Sequence, residues 1–92
     1  MQRKKKATVA PVVFSYTDPH ATVVHVAGSF NEWSPDAHAL TPTTPGDWQI
    51  KLPLPPGRYE YLFVVDGRWT PDPLARETAP NPHGGVNSVV QV

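Results

Sequence analysis

The chain has 92 residues with 12 prolines, 6 glycines and no cysteine, and 39% of its residues are hydrophobic. A chain of this length forms one small domain with a modest core, and without cysteine it has neither disulfide bonds nor thiolate metal sites. The formal net charge is zero, but residues 3–6 hold half of the basic groups, so residues 7–92 carry four basic and eight acidic side chains, a poor match for nucleic acid.

The basic start divides the chain into two parts. Residues 1–9 are predicted to be a disordered basic tail, and residues 10–92 a single β-sandwich domain. No apolar run approaches the length of a transmembrane helix, and no small-residue cleavage pattern follows the short apolar stretch at 7–14. We therefore expect no membrane partner. Because a cysteine-free chain fits a reducing compartment, we also expect a cytoplasmic location.

Three short runs in the first half of the domain have the alternating or β-branched pattern of β-strands. They cover residues 12–16, 22–27 and 47–54. In the third run, Trp48 and every second residue as far as Leu54 share one face, so Trp48 is expected in the core. Pro53 cannot donate a hydrogen bond to a sheet, which predicts that this strand lies at an edge or ends there.

The strand pattern is strongest over residues 58–65, where aromatic and apolar side chains alternate with others. The side expected to face the core carries Tyr59, Tyr61, Phe63 and Val65. Asp66 and Gly67 then match a two-residue type I′ hairpin turn, whose central residues both need positive φ. Residues 68–70 would begin the returning strand.

The rest of the chain is rich in turns. Four prolines between positions 71 and 82 predict a long irregular connection, and residues 86–92 predict a last strand. Residues 34–40 could form one helical turn, with Pro35 at a first helical position. About seven short strands with these turn signals predict an all-β fold, an immunoglobulin-like β-sandwich.

Side chains with catalytic potential do not form a recognisable set. The candidate nucleophiles Ser29, Ser34 and Ser88 lie outside any Gly-x-Ser-x-Gly elbow, and the four histidines lack metal-ligand spacing. Glu32 and Asp36 could act as paired carboxylates, but we do not expect so small a domain to enclose a pocket that excludes water. The domain is therefore predicted not to be an enzyme and to need no metal or other cofactor.

Two of the three tryptophans point instead to ligand binding. Trp33 ends the turn at residues 28–33, and Trp69 follows the hairpin corner. An exposed indole can stack on the C–H face of a sugar ring while planar side chains such as Asn87 bond its hydroxyls. Other interpretations stay open: Trp33 could cap one end of the sandwich, Trp69 could pack across its hairpin, and Asn87 could satisfy only turn amides.

Four segments of the sequence carry a family resemblance. They are Val-Ala-Gly-Ser-Phe-Asn-Glu-Trp at 26–33, Gly-Asp-Trp at 46–48, residues 54–73 with Tyr-Leu-Phe-Val-Val-Asp-Gly-Arg-Trp, and Val-Asn-Ser-Val-Val-Gln-Val at 86–92. In this order and spacing they resemble the glycogen-binding module of the β subunit of AMP-activated kinase and the N-terminal domain of glycogen branching and isoamylase-type enzymes. This is carbohydrate-binding module family 48, of the early-set group.

The resemblance implies a glycan-binding immunoglobulin-like domain that takes α-1,4-linked glucan on one face. Carried over by position, Trp33 and Trp69 are the two stacking tryptophans, and Asn87 bonds sugar hydroxyls. Glu60 is expected at the margin of the same site.

Three positions depart from the kinase-type modules. Leu62 stands where those modules have a lysine that donates to the sugar, and Gly85 stands where they have a threonine. His83 replaces a leucine that packs against the glucan, and it could donate or stack in its place. These changes remove polar contacts and leave the aromatic platform.

The sequence therefore predicts non-catalytic binding of glycogen, starch or maltooligosaccharide, with a dissociation constant roughly in the high micromolar to millimolar range. The alternative is a protein-interaction or packing domain of the same fold, in which the aromatic patch contacts a partner chain. A glycogen-metabolism enzyme or a kinase chain would be such a partner.

Overall fold

The computed structural model describes residues 9–92, so the predicted basic tail lies outside the described residues except for Val9. Within them the chain forms eight β-strands and no helix, and hence no helix that could cross a membrane. The strands are β1 (Ala10–Thr17), β2 (Val24–Gly28), β3 (Thr41–Thr44), β4 (Asp47–Leu54), β5 (Arg58–Val65), β6 (Arg68–Thr70), β7 (Glu77–Pro80) and β8 (Val86–Gln91).

The strands form two antiparallel sheets whose apolar faces share one core. The three-stranded sheet has the order β1-β4-β3, and the five-stranded sheet has the order β2-β5-β8-β7 with β6 also paired to β5. The predicted all-β, immunoglobulin-like sandwich is therefore confirmed, with one strand more than the approximate count of seven.

The core lies between the sheets and consists mainly of side chains from β1, β2, β4 and β5, with Leu40 from the segment before β3. On β5, Tyr61 and Phe63 point into the core as predicted, and Phe63 has no exposed surface. Phe14 of β1 packs edge-on against Tyr61 with ring centroids 4.9 Å apart, so aromatic rings join the two sheets. Trp48 of β4 is 9% exposed and its Nε1 donates to the backbone oxygen of Asp18 at 3.1 Å, which confirms it as a core residue.

The helical turn predicted at residues 34–40 is not present, and this expectation is wrong. The second half of the segment, residues 38–40, runs beside β2 and forms backbone hydrogen bonds with it. The backbone nitrogen of Val26 donates to the oxygen of His38 at 3.0 Å, and that of Leu40 donates to the oxygen of Val24 at 2.8 Å. These contacts with β2 take the place of hydrogen bonds within a helical turn.

Two edge strands, β3 and β7, lie in segments where sequence analysis predicts none. Both contain proline, and nearly all of their side chains are exposed, so they lack the alternation of a half-buried strand. β3 pairs with β4 only over residues 47–49. β4 is therefore the middle strand of its sheet and not an edge strand. Pro53 lies one residue before β4 ends, with β1 on one side and no strand on the other, which agrees with the predicted end of the strand.

The hairpin between β5 and β6 has the predicted backbone, because φ is 49° at Asp66 and 85° at Gly67. The Oδ1 atom of Asp66 accepts hydrogen bonds from the backbone nitrogens of Val23 and Thr22, both at 2.9 Å. These two bonds hold the pKa of the Asp66 carboxyl below its usual value, and the bond from Val23 makes the largest contribution. The charged side chain thus ties the hairpin to the segment before β2.

This tie predicts a loss of stability in acid. Because the pKa of Asp66 is lower in the folded than in the unfolded chain, its contribution is complete above the ordinary value of 3.8 and disappears as the pH falls through the folded-state pKa. We expect Asp66→Asn, which keeps an acceptor oxygen and tolerates positive φ, to lose less stability than the wild type between about pH 6 and pH 3. Urea denaturation at both pH values measures this difference, and equal losses would contradict it.

Candidate functional site

The candidate site is a groove on the outer face of the five-stranded sheet, where β5 changes its partner. β8 pairs with β5 only as far as Tyr61, and β6 pairs with β5 only from Phe63 onward. Leu62 lies between these two partners and is paired on its other side with Ala27 of β2. The resulting groove has a volume of about 930 Å³ and places Leu62, which is 8% exposed, among its lining residues.

All seven residues that sequence analysis assigns to the site line this one groove. The full lining consists of Trp33, Glu60, Leu62, Trp69, Pro71, Asn81, Pro82, His83, Gly85, Val86 and Asn87. The structure thus brings together segments from four parts of the chain. Which of these residues contact a ligand stays a prediction.

Trp69 occupies the middle of β6, the predicted returning strand of the hairpin. It pairs with Val64 of β5, and side chains of directly paired residues share one face of a sheet, so the indole lies on the outer face with Leu62. The side chain is 47% exposed. Packing across the hairpin therefore accounts for only part of its surface, and the rest is open to a ligand.

Trp33 lies in the turn after β2, and its backbone is in the left-handed region. The φ angles of Glu32 and Trp33 are both 58°, a conformation that costs about 1–3 kcal/mol per residue unless neighbouring contacts hold it. The backbone nitrogens of Asn31 and Trp33 both donate to the oxygen of Gly28, at 3.0 and 2.9 Å. These bonds hold the half-buried indole at the groove.

Two side chains attach this turn to its surroundings. The Oδ1 of Asn31 accepts from the backbone nitrogen of Gly28 at 2.9 Å, and its Nδ2 lies 3.0 Å from Nδ1 of His38. The backbone nitrogen of Ser29 donates to the oxygen of Glu60 at 2.9 Å, and the nitrogen of Glu60 donates to Ser29 Oγ at 3.2 Å. The turn that carries Trp33 is therefore fixed to β5 at Glu60.

The polar wall of the groove combines a carboxylate with an amide. The Nδ2 of Asn87 donates to Glu60 Oε1 at 3.0 Å, and Nη1 of Arg58 donates to Glu60 Oε2 at 2.9 Å. Both bonds lower the pKa of Glu60, and the bond from Asn87 has the larger effect. Asn87 is 7% exposed. Its partners are the side chains of Glu60 and Asn81, so the open interpretation that it satisfies only turn amides is wrong.

His83 and Gly85 lie in the loop between β7 and β8, and both are exposed. Asn81, which sequence analysis does not identify, shapes this loop. Its Oδ1 accepts from the backbone nitrogens of His83 at 2.9 Å and Gly85 at 3.1 Å, while its Nδ2 donates to Asn87 Oδ1 at 3.2 Å. An asparagine followed by proline and two glycines is a turn signal that could have revealed the loop, but not the contact with Asn87.

The chemistry of the groove suits binding of an uncharged, hydroxyl-rich ligand. Its lining offers two indoles, an apolar leucine, two amides, one imidazole and a single carboxylate, that of Glu60. Apolar ring faces and planar hydrogen-bonding groups are the features that recognise a sugar. Within residues 9–92 no group of three or more histidine, aspartate or glutamate side chains could hold a metal ion.

Comparison with known proteins assigns the domain to a family. The family described as the glycogen recognition site of AMP-activated protein kinase matches residues 10–92, which span all eight strands. The chain belongs to this family. The resemblance seen in the sequence is therefore confirmed, and this glycogen-recognition domain is a carbohydrate-binding module without catalytic activity of its own.

Relatives of the domain occur in animals and plants. The 5'-AMP-activated protein kinase subunit beta-1 of Sus scrofa is 37% identical over 89 residues, which cover 97% of this chain and 69% of that sequence. Its counterpart from Rattus norvegicus is 36% identical over 92 residues, 100% of this chain and 32% of that sequence. The amyloplastic phosphoglucan phosphatase DSP4 of Castanea sativa is 31% identical over 81 residues, 88% of this chain and 22% of that sequence. This chain thus spans about a third or less of the latter two relatives.

Proposed function

We propose that residues 10–92 bind α-1,4-linked glucan, in the form of glycogen, starch or maltooligosaccharide, without catalysing a reaction. The observation that carries the proposal is that Trp33, Trp69 and Asn87, which are distant in sequence, line one groove. The two indoles stack on successive glucose units, and the amide of Asn87 bonds the hydroxyls at the ring edge. Leu62 adds apolar contact, and the exposed His83 borders the same groove.

The affinity follows from the open form of the groove. A flexible glucan loses freedom when it binds, and Leu62 supplies no hydrogen bond that would offset this cost, so the dissociation constant is roughly in the high micromolar to millimolar range.

Calorimetric titration of the protein with maltoheptaose and with β-cyclodextrin tests the proposal. Both ligands present α-1,4-linked glucose, so both should give saturable binding within that range. Cellohexaose is the control, because its β-1,4 linkage gives an extended chain with a different orientation of neighbouring rings, and it should bind more weakly. No saturable signal with either α-glucan at concentrations up to about 10 mM would reject the proposal.

A protein partner is a second part of the proposed function. The animal relatives are named as subunits of a kinase, which supports a kinase chain or a glycogen-metabolism enzyme as the partner of the protein that carries this domain. The cytoplasmic location expected from the cysteine-free sequence belongs to the same proposal.

A further inference from the structure

Asn81 is the most densely hydrogen-bonded side chain along the groove, and the proposed function does not use it. Its Oδ1 accepts from the backbone nitrogens of His83 and Gly85, and its own backbone nitrogen donates to the oxygen of Gly85 at 3.0 Å. Its Nδ2 takes no part in the loop. This group donates instead to Oδ1 of Asn87 at 3.2 Å.

This contact decides how the Asn87 amide is oriented. On one side Asn87 donates from Nδ2 to the Glu60 carboxylate, and on the other it accepts at Oδ1 from Asn81. A flipped amide would place Oδ1 against the carboxylate and Nδ2 against another donor, so neither bond could form. In the observed orientation one N–H and one lone pair of the amide remain for a ligand. The position of these two free sites depends on both neighbours.

We propose that Asn81 is a positioning residue for glucan recognition, which acts by holding the Asn87 amide in its binding orientation. The inference rests on the proposed function and deepens it. One N–H of Asn81 Nδ2 is directed at Asn87, and the inference assigns no sugar contact to the other. Through this one side chain, the shape of the loop that carries His83 and Gly85 is joined to the hydrogen bonding of Asn87.

The substitution Asn81→Asp separates the two roles of this side chain. An aspartate keeps the oxygen that accepts from His83 and Gly85, so the loop should persist. Its second oxygen replaces Nδ2 and faces Oδ1 of Asn87, and two acceptors without a proton between them repel each other. Asn81→Ser serves the same purpose, since its hydroxyl can accept from the loop amides but is too short to reach Asn87.

Calorimetric titration with maltoheptaose should show roughly three- to tenfold weaker binding for Asn81→Asp, which corresponds to one lost hydrogen bond. The double variant Asn81→Asp/Asn87→Ala should bind no more weakly than Asn87→Ala alone, because Asn81 acts only through Asn87. The melting temperature of the single variant should stay within about 3 °C of the wild type, which excludes general unfolding as the cause. Additive losses in the double variant, or wild-type affinity in both Asn81 variants, would overturn the inference.

A measurement without ligand separates this inference from the proposed function. In the ¹⁵N–¹H spectrum of the free protein, Asn81→Asp should shift the side-chain amide signals of Asn87 more than the backbone amide signals of His83 and Gly85. Unchanged Asn87 signals would refute the positioning role even if the wild type binds glucan. If Asn81→Asp shifts the Asn87 signals as expected but the wild type binds no α-glucan, the proposed function is refuted. Any role of Asn81 in glucan recognition is then refuted with it.

Discussion

Replacing Trp69 by alanine is expected to weaken binding of maltoheptaose at least tenfold while the domain stays folded. The side chain is 47% exposed on the outer face of the sheet, so its loss removes little from the core between the sheets. It does remove one of the two aromatic surfaces in the groove, and a tenfold loss corresponds to about 1.4 kcal/mol, less than many central aromatic contacts contribute. Calorimetric titration measures the change, and Trp33→Ala should give a loss of similar size.

Two further variants make this result specific. Leu74→Ala removes an apolar side chain that is 78% exposed and does not line the groove, so it should bind maltoheptaose like the wild type. Trp69→Phe keeps a smaller ring and should recover part of the lost affinity. If Trp69→Ala is folded and binds within about twofold of the wild type, stacking on Trp69 does not drive recognition, and the packing-domain alternative becomes the better explanation.

The parts of the fold that the sequence predicts are those where local chemistry and burial agree. β4 buries Trp48, Leu52 and Leu54 of its predicted core face, β5 directs its predicted aromatic face into the core, and Asp66 with Gly67 has the residue types that a type I′ turn needs. β3 and β7 could not be predicted, because their formation depends on a neighbouring strand and not on their own exposed, proline-containing sequences. The same reason explains the end of the segment 34–40, where His38 and Leu40 form backbone hydrogen bonds with β2.

The candidate site shows a similar division. Trp33 and Trp69 were identifiable because a large aromatic residue beside a turn is a poor core residue, and their common groove follows from the pairing of β5. Asn81 was not identifiable. Its contact with Asn87 accompanies the register of β7 and β8, in which Ala79 lies opposite Asn87, and neither β7 nor this register could be predicted from the sequence.

Gly28→Ala should destabilise the domain more than any surface substitution and should also weaken glucan binding. A Cβ atom at residue 28 would lie 2.5 Å from the backbone oxygen of Glu60 and 2.9 Å from Cβ of Tyr61, because β2 and β5 approach closely there. Backbone atoms cannot rotate away, so the strands must separate. Overpacking of this kind typically costs about 1–3 kcal/mol, and we expect the upper part of that range in urea denaturation.

The effect should reach the groove because Gly28 also anchors the turn that carries Trp33, whose backbone nitrogen donates to the Gly28 oxygen at 2.9 Å. A shift of Gly28 therefore displaces the indole, and maltoheptaose affinity should fall even under conditions where the variant is fully folded. Gly85→Ala is the matched control for stability. A Cβ at residue 85 would meet only the Asn81 side chain, at an ordinary contact distance of 3.6 Å, so the free energy of unfolding should change by less than about 0.5 kcal/mol. A folded Gly28→Ala protein with wild-type stability and affinity would show that the close approach of β2 to β5 does not hold Trp33 in place.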